Sequence, residues 1–369
     1  MKRFLLSFGF LAILFVCLAA NNVYAVTAYP HPVEYKLPDG TTLSIVLKGD
    51  EKVNWAETLD GYSILLNDKG YYEYAILNEK GDMERSGIRV SPENKRSADE
   101  QVLLSKIKKG IMYSPSQVSI MQQIWDINEK EASKAFPTTG DRKLICILVN
   151  FADVQFQKTQ ADFDALFNQI GYNVDGATGS VKDYYLENSY GQFNLTVDVA
   201  GPYAVSQDMV YYGGESGDPR PMVTEVVGLA DADVDYSDYD NDNDGSVDGV
   251  YIIFAGYGEE AGASEDAIWS HAWSIWPAVN YDGVEISRYS CSPELRGNSG
   301  TSLTRIGVIC HEFGHVLGAP DYYDTNYNNT GDGQFSGTGR WDMMAGGSWN
   351  NGGATPAHHN AFTKVVYYN

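Results

Sequence analysis

His311-Glu312-Phe313-Gly314-His315-Val316-Leu317-Gly318-Ala319-Pro320-Asp321 is the stretch from which the rest of the 369-residue chain is read. Two imidazoles four residues apart stack on one face of a helix, close enough to share a Zn²⁺ ion. Glu312 lies about 100° around the same helix, beside that metal. Gly318 can end the helix through a positive φ, and the chain then carries Asp321 back as a third ligand. Two neutral imidazoles and one carboxylate leave a fourth position for water, whose pKa falls to about 7 on zinc. Glu312 would take the proton as that water attacks a carbonyl. A bare HExxH arises by chance in roughly one such chain in a hundred or two, so the glycine break and the carboxylate in register carry the weight. No Glu follows Val316, which excludes a distant downstream glutamate as third ligand and leaves Asp324, His358 and His359 as rivals to Asp321.

A second cation site is expected upstream. Asp240-Asn241-Asp242-Asn243-Asp244-Gly245-Ser246-Val247-Asp248 puts carboxylates at positions 1, 3, 5 and 9 of an EF-hand-like loop, with Gly245 at the sharp turn and the Ser246 carbonyl at position 7. Oxygen-only ligands suit Ca²⁺. Position 12 is Tyr251 where an EF-hand has a bidentate Glu, so an outside ligand or water must complete the shell. The expected role is structural.

The N-terminus reads as an export signal over residues 1–25: Lys2 and Arg3, an apolar run from Phe4 to about Ala20, then Val23-Tyr24-Ala25 as the cleavage site. A secreted, extracellular protein is expected. The net charge is −23, and losing Lys2 and Arg3 makes it −25. That excess, with no basic stripe, argues against nucleic acid. No later stretch is apolar and long enough to span a bilayer, so no membrane partner is expected. Cys146, Cys291 and Cys310 are too few for a disulfide scaffold; Cys146 sits in an apolar run and is expected to be buried, and a Cys291 to Cys310 bridge is left open.

From Val26 to Phe136 apolar and polar residues alternate between turn signals at Pro38-Asp39-Gly40, Asn67-Asp68-Lys69-Gly70 and Glu79-Lys80-Gly81-Asp82, the pattern of antiparallel hairpins. Ser97 and Glu100 form a capping-box pair ahead of Leu103, Leu104, Ile107 and Ile111 at helical spacing, broken near Pro115. Pro137-Thr138-Thr139-Gly140 is the expected junction. Beyond it, strands are expected at Lys143–Phe151, Phe193–Val199 and Val250–Phe254, and helices near Gln160–Ile170, Ser180–Asn188, Pro221–Asp231 and Ser302–Leu317. Interleaved strands and helices predict an α/β (α+β) layer arrangement.

These residues resemble the immune-inhibitor-A-like secreted zinc metallopeptidases of bacteria, a branch of the metzincins. The shared stretches are HEFGHVLGAPDYYDT, GRWDMMAGGSW, KLICILVNFAD, SVKDYYLENSYGQF and DYDNDNDGSVDGVYIIFAGYG, covering most of residues 140 to 365. LPDGTTLSIVLKGDE and LDGYSILLNDKGYYEYA are similar to that family's propeptide. The resemblance implies a metzincin-like catalytic domain with a mixed sheet and a long zinc-binding helix over residues 139–369. A small, mainly antiparallel β plus helix propeptide domain over residues 26–138 would precede it. It also implies a zymogen, processed to a monomeric endopeptidase acting on protein or peptide substrates. Asp321 stands where metzincins place a short-spaced ligand, usually His. Met344, between Asp342 and the glycines, is expected to floor the zinc ligands. From the residues themselves, Tyr322 and Tyr323 are read as oxyanion donors or packing residues, and Trp269-Ser270-His271-Ala272-Trp273 as a cleft wall or a structural cluster.

The chain departs from the pattern in places. No cysteine lies between Val26 and Ile145, so a propeptide thiol cannot hold the zinc, and latency must be steric or use another ligand. Relatives continue into long C-terminal modules, and a chain ending soon after an apparent helix start at Pro356 is expected to be a fragment. Met343 stands where relatives often carry Leu or Ile. The alternative to an enzyme is a catalytically inactive secreted adhesin or calcium-stabilised binding module on the same scaffold. Glu312 speaks against it.

Overall fold

Six consecutive apolar side chains, Leu144 to Val149, are all buried, because their strand lies between parallel neighbours with helices on both faces. A computed structural model describes residues 24–126, 136–214, 217–327 and 335–368. The predicted export signal up to Val23 lies outside the described residues.

In chain order the strands are β1 (Tyr24–Ala25), β2 (Val33–Lys36), β3 (Thr42–Gly49), β4 (Asn54–Thr58), β5 (Ser63–Leu66), β6 (Tyr72–Leu77), β7 (Met83–Arg89), β8 (Gly140–Asn150), β9 (Phe193–Ala204), β10 (Val250–Tyr257), β11 (His271–Tyr281) and β12 (Val284–Leu295). The helices are α1 (Ala98–Leu104), α2 (Pro115–Asp126), α3 (Gln160–Asn168), α4 (Val181–Asn188), α5 (Met209–Gly213), α6 (Arg220–Ala230), α7 (Ile306–Val316) and α8 (Ala361–Val366). Two six-stranded sheets result, in a mixed α/β protein.

Strands β2 to β7 form an antiparallel meander in sequence order. Its turns close where the sequence places glycine: Gly40, Gly70 and Gly81 all have φ between 74° and 84°. Val33, Leu43, Ile45, Ile64, Tyr72 and Tyr74 make its core, with Leu103 and Leu104 of α1 packed on it. The Ser97–Glu100 capping box is formed. The helix stops at Leu104, however, and Ile111 packs elsewhere, beside Trp55, Met83 and Val118.

The second sheet runs β1-β11-β12-β10-β8-β9, with β9, β8, β10 and β12 parallel and β11 antiparallel to β12. Alternation along β8 divides the interior. Ile145, Ile147 and Val149 face Met222, Val223, Val226 and Val227 of α6, while Leu144, Cys146 and Leu148 face α3, α4 and α7. The β11–β12 hairpin, absent from the sequence-based expectations, turns at Asp282-Gly283, both at positive φ. Cys146, Cys291 and Cys310 are all free and buried, so the Cys291 to Cys310 bridge left open above is not formed; Cys291 lies on a strand beside His271.

Helix α7 has every residue buried, its two histidines and its glutamate included. It begins at Ile306 rather than Ser302, because Leu303 bridges Leu295 and the Thr304 N–H bonds the Glu294 carbonyl. Close packing depends on glycine: a Cβ on Gly307 would stand 2.1 Å from the Ser348 carbonyl oxygen.

Candidate active site

Helix α7 turns His311 and His315 toward one point, their ring centroids 4.8 Å apart. Past its end, Gly318 adopts φ 98° and the Ala319 N–H returns to the Gly314 carbonyl, closing the helix and leading the chain to Asp321. Asp321 Oδ1 comes within 3.2 Å of His311 Nε2 and 3.5 Å of His315 Nε2, and the two Nε2 atoms are 3.2 Å apart.

The opposite ring nitrogens fix what those atoms can do. His311 Nδ1 lies 2.8 Å from the Met343 carbonyl oxygen and His315 Nδ1 lies 2.7 Å from that of Ala319. A carbonyl only accepts, so each Nδ1 carries the proton and each Nε2 presents a lone pair. Two lone pairs and a carboxylate oxygen facing each other at this range repel unless a cation lies among them. The donor set of two imidazoles and one carboxylate suits zinc, with an open fourth position.

Met344 lies under the helix, its Sδ 2.7 Å from where a Cβ on Gly314 would stand. The turn that holds it is tied by Met344 N–H to Asp342 Oδ1, by Tyr322 N–H to the Met344 carbonyl, and by Asn360 to Asp342. Met343 contributes the carbonyl that orients His311.

Glu312 is fully buried beside this group. Burial pushes its carboxyl well above the usual range; a hydrogen bond from the Val26 N–H opposes this, and the charges of Asp321, Glu51 and Glu260 add to it. The Val26 N–H lies 2.8 Å from Glu312 Oε1 across 286 residues of sequence. Tyr24 and Ala25, assigned by sequence to the end of the export signal, here continue as β1 and pair antiparallel with Ala272 and His271 of β11. The Trp269 indole N–H donates to the Val26 carbonyl and that of Trp349 to the Thr27 carbonyl, both at 2.9 Å. Glu51, in the turn between β3 and β4, is buried too; burial and the neighbouring charges of Asp50 and Asp321 raise its carboxyl well above the usual range.

The remaining candidates are placed as follows. Asp240, Asp242 and Asp244 bring carboxylate oxygens within 4.8 Å of one another. Asp248 is not in that group, its Oδ2 accepting from the backbone and side chain of Asn241 at 2.8 and 2.9 Å, and Ser246 bridges Glu285 beside it. His358 is exposed on Glu187, and His359 is buried beside Tyr368, so neither enters the histidine–aspartate group. The Tyr322 hydroxyl accepts from Thr363, while Tyr323 is buried near Asp321. His271 is structural: it bonds the Trp269 carbonyl and the Tyr289 hydroxyl, and burial lowers its pKa to about 4.

Sequence reasoning missed Val26, Glu51 and Trp349 at this site, and weighed Trp269 only as a wall or packing residue. Their partners are distant in the chain, and no local spacing marks them. The β11 edge itself carried a usable signal, the Asp282-Gly283 turn between alternating strands.

Residues 134–367 match the family model described as the immune inhibitor A peptidase M6 catalytic domain. The chain is similar to the pre-pro-metalloprotease PrtV of Vibrio cholerae serotype O1, 31% identical over 241 residues, 56% of this chain and 26% of the relative. It is also similar to immune inhibitor A of Bacillus thuringiensis subsp. alesti, 29% identical over 279 residues, 61% of this chain and 39% of the relative. The chain thus spans about a quarter to two fifths of the length of these curated relatives.

Proposed function

The chain belongs to the immune inhibitor A peptidase M6 family and is a metallopeptidase, and from that premise we propose that it is a secreted zinc endopeptidase of metzincin type, made as a zymogen. The observation that carries the reading is the convergence of His311 Nε2, His315 Nε2 and Asp321 Oδ1 beside Glu312. Those three residues would hold the zinc. When bound, the ion supplies Lewis acidity, polarising a carbonyl and lowering the pKa of water to about 7.

The remaining chemistry belongs to side chains. Glu312 accepts a proton from the attacking water and delivers it to the leaving nitrogen. The Met343 and Ala319 carbonyls hold the imidazoles in one tautomer, and Met344 provides a floor that keeps the ligand helix in place. Residues 26–138 act as the propeptide and residues 139–369 as the catalytic domain. Latency in this reading is steric, since Val26 occupies the carboxylate that must accept the proton, and the β3–β4 turn adds the buried charge of Glu51 near Asp321.

Asp240, Asp242 and Asp244 would hold Ca²⁺, bracing the turn that precedes β10. The test of the zinc assignment is metal analysis of the purified chain. One zinc per chain, lost in His315→Ala, is expected; a folded chain without stoichiometric zinc would contradict the reading and favour a non-catalytic binding module.

A further inference from the structure

The segment over Glu312 shows more than obstruction. It is extended and pairs antiparallel with the edge strand β11, the way a peptide adds to a sheet through its backbone. Its register is fixed by one bond: the nitrogen donating to Glu312 is that of Val26, at the Ala25–Val26 bond where the export signal is expected to be cut, so the exported chain would present there the new amine of a cleaved bond. A leaving nitrogen must stand there to receive a proton from the same carboxylate. Residues 24–25 thus lie where a substrate would precede the cut, and residues 26–27 where it would follow.

In an extended chain consecutive carbonyls point to opposite sides. The Val26 carbonyl meets the indole N–H of Trp269, just ahead of β11, and the Thr27 carbonyl meets that of Trp349, beyond the Met344 turn. Both indoles are largely buried, so each donor is fixed in place. The Val26 side chain is wholly buried against Val308 and Trp349. Val308 precedes Glu312 by four residues on α7, so this pocket opens on the helix face that carries the base. Val308 and Trp349 lie beyond residue 139, outside the segment that processing would remove, while Tyr29, which also packs there, belongs to that segment. By contrast, Thr27 is part exposed, and Ala28 packs on Leu47 of the N-terminal sheet as well as on Trp269, so its surroundings would not survive processing.

We propose that Trp269 and Trp349 are the substrate-backbone anchors of this peptidase, and that the Val308–Trp349 pocket selects an aliphatic residue of about valine size immediately after the scissile bond. This rests on the peptidase reading above and names the substrate class of the same site. A valine moved from water into such a pocket favours it about tenfold over glycine, and a carboxylate there is disfavoured more strongly.

The test uses acetyl-Tyr-Ala-X-Thr-Ala-Tyr-amide peptides, with X as Val, Leu, Gly, Lys or Asp, and the processed zinc-loaded enzyme. Cleavage before X, with kcat/KM for Val or Leu about tenfold above Gly and higher still over Asp, is expected. Binding of the Val peptide to Glu312→Gln, read by calorimetry, should weaken several-fold when Trp349→Phe or Trp269→Phe is added, since each keeps a ring and loses the N–H. Casein hydrolysis with kcat/KM independent of X within twofold, or unchanged binding in both tryptophan variants, overturns the proposal and leaves the peptidase reading intact. Failure to hydrolyse casein at all overturns both.

Discussion

At the scale of single residues, the site depends on atoms whose freedom has been removed. The imidazoles of His311 and His315 are each pinned through Nδ1 by a carbonyl, and α7 sits so close to the Met344 turn that glycine is required. Gly307→Ala would drive a methyl into the Ser348 carbonyl and the Gly353 Cα, 2.1 and 2.8 Å away, both backbone. Overpacking of that kind should cost about 1–3 kcal/mol, read by urea denaturation; an unchanged midpoint would show that the helix shifts freely. The pair His311 and His315 was legible because helical spacing is local and needs no tertiary information. Val26 on Glu312 was not, since a backbone N–H carries no side-chain signature and its partner lies 286 residues away. The same limit hid Glu51, which reads in sequence as one more acid in a hairpin turn.

Secondary-structure elements carry the next predictions. In the N-terminal sheet Arg96 bonds both Asp60 oxygens, at 2.6 and 2.9 Å, and with the Thr58 hydroxyl this holds the Asp60 carboxyl down at about 2. A lowered carboxylate pKa gives stability that is complete above the unfolded value near 4 and disappears as pH falls toward 2. Partial exposure and solvent screening trim the contribution to about 1 kcal/mol. Asp60→Asn should therefore lower the melting temperature clearly at pH 6 and much less at pH 2; an equal effect at both would remove the ion pair as cause. In the Asp240–Asp248 loop, millimolar Ca²⁺ should raise the melting temperature by on the order of 5 °C, and Asp242→Asn should abolish the response. A melt indifferent to Ca²⁺ would leave the loop as a solvated acidic turn. The spacing of that loop showed in sequence, but which carboxylates converge did not, because Asn241 takes Asp248 out of the group. Strands β8 and β10 were legible as continuous apolar runs. The β11–β12 hairpin escaped because polar residues within it, such as Ser290 and Ser292, are buried by strand pairing rather than by apolar character.

Across the whole molecule, residues from both sheet regions come to helix α7. The segment leading into the N-terminal sheet contributes Val26 on Glu312, and the β3–β4 turn of that sheet places the buried Glu51 near enough for the charge of Asp321 to act on it. Two sheet-bearing regions were legible from the change of texture near Pro137, whereas their docking was not. Unprocessed chain should hydrolyse peptides at least tenfold more slowly than chain cleaved near that junction, measured on a fluorogenic casein; equal rates would mean that the segment leaves the cleft unaided. The central claim is that Glu312 serves as base beside a zinc ion held by His311, His315 and Asp321. Its most direct test is casein hydrolysis by processed wild type, processed wild type with a zinc chelator, and processed Glu312→Gln whose zinc content matches wild type. The account predicts that chelation abolishes activity and that Glu312→Gln loses about 10²–10⁴-fold in kcat, whereas equal rates in all three would contradict it.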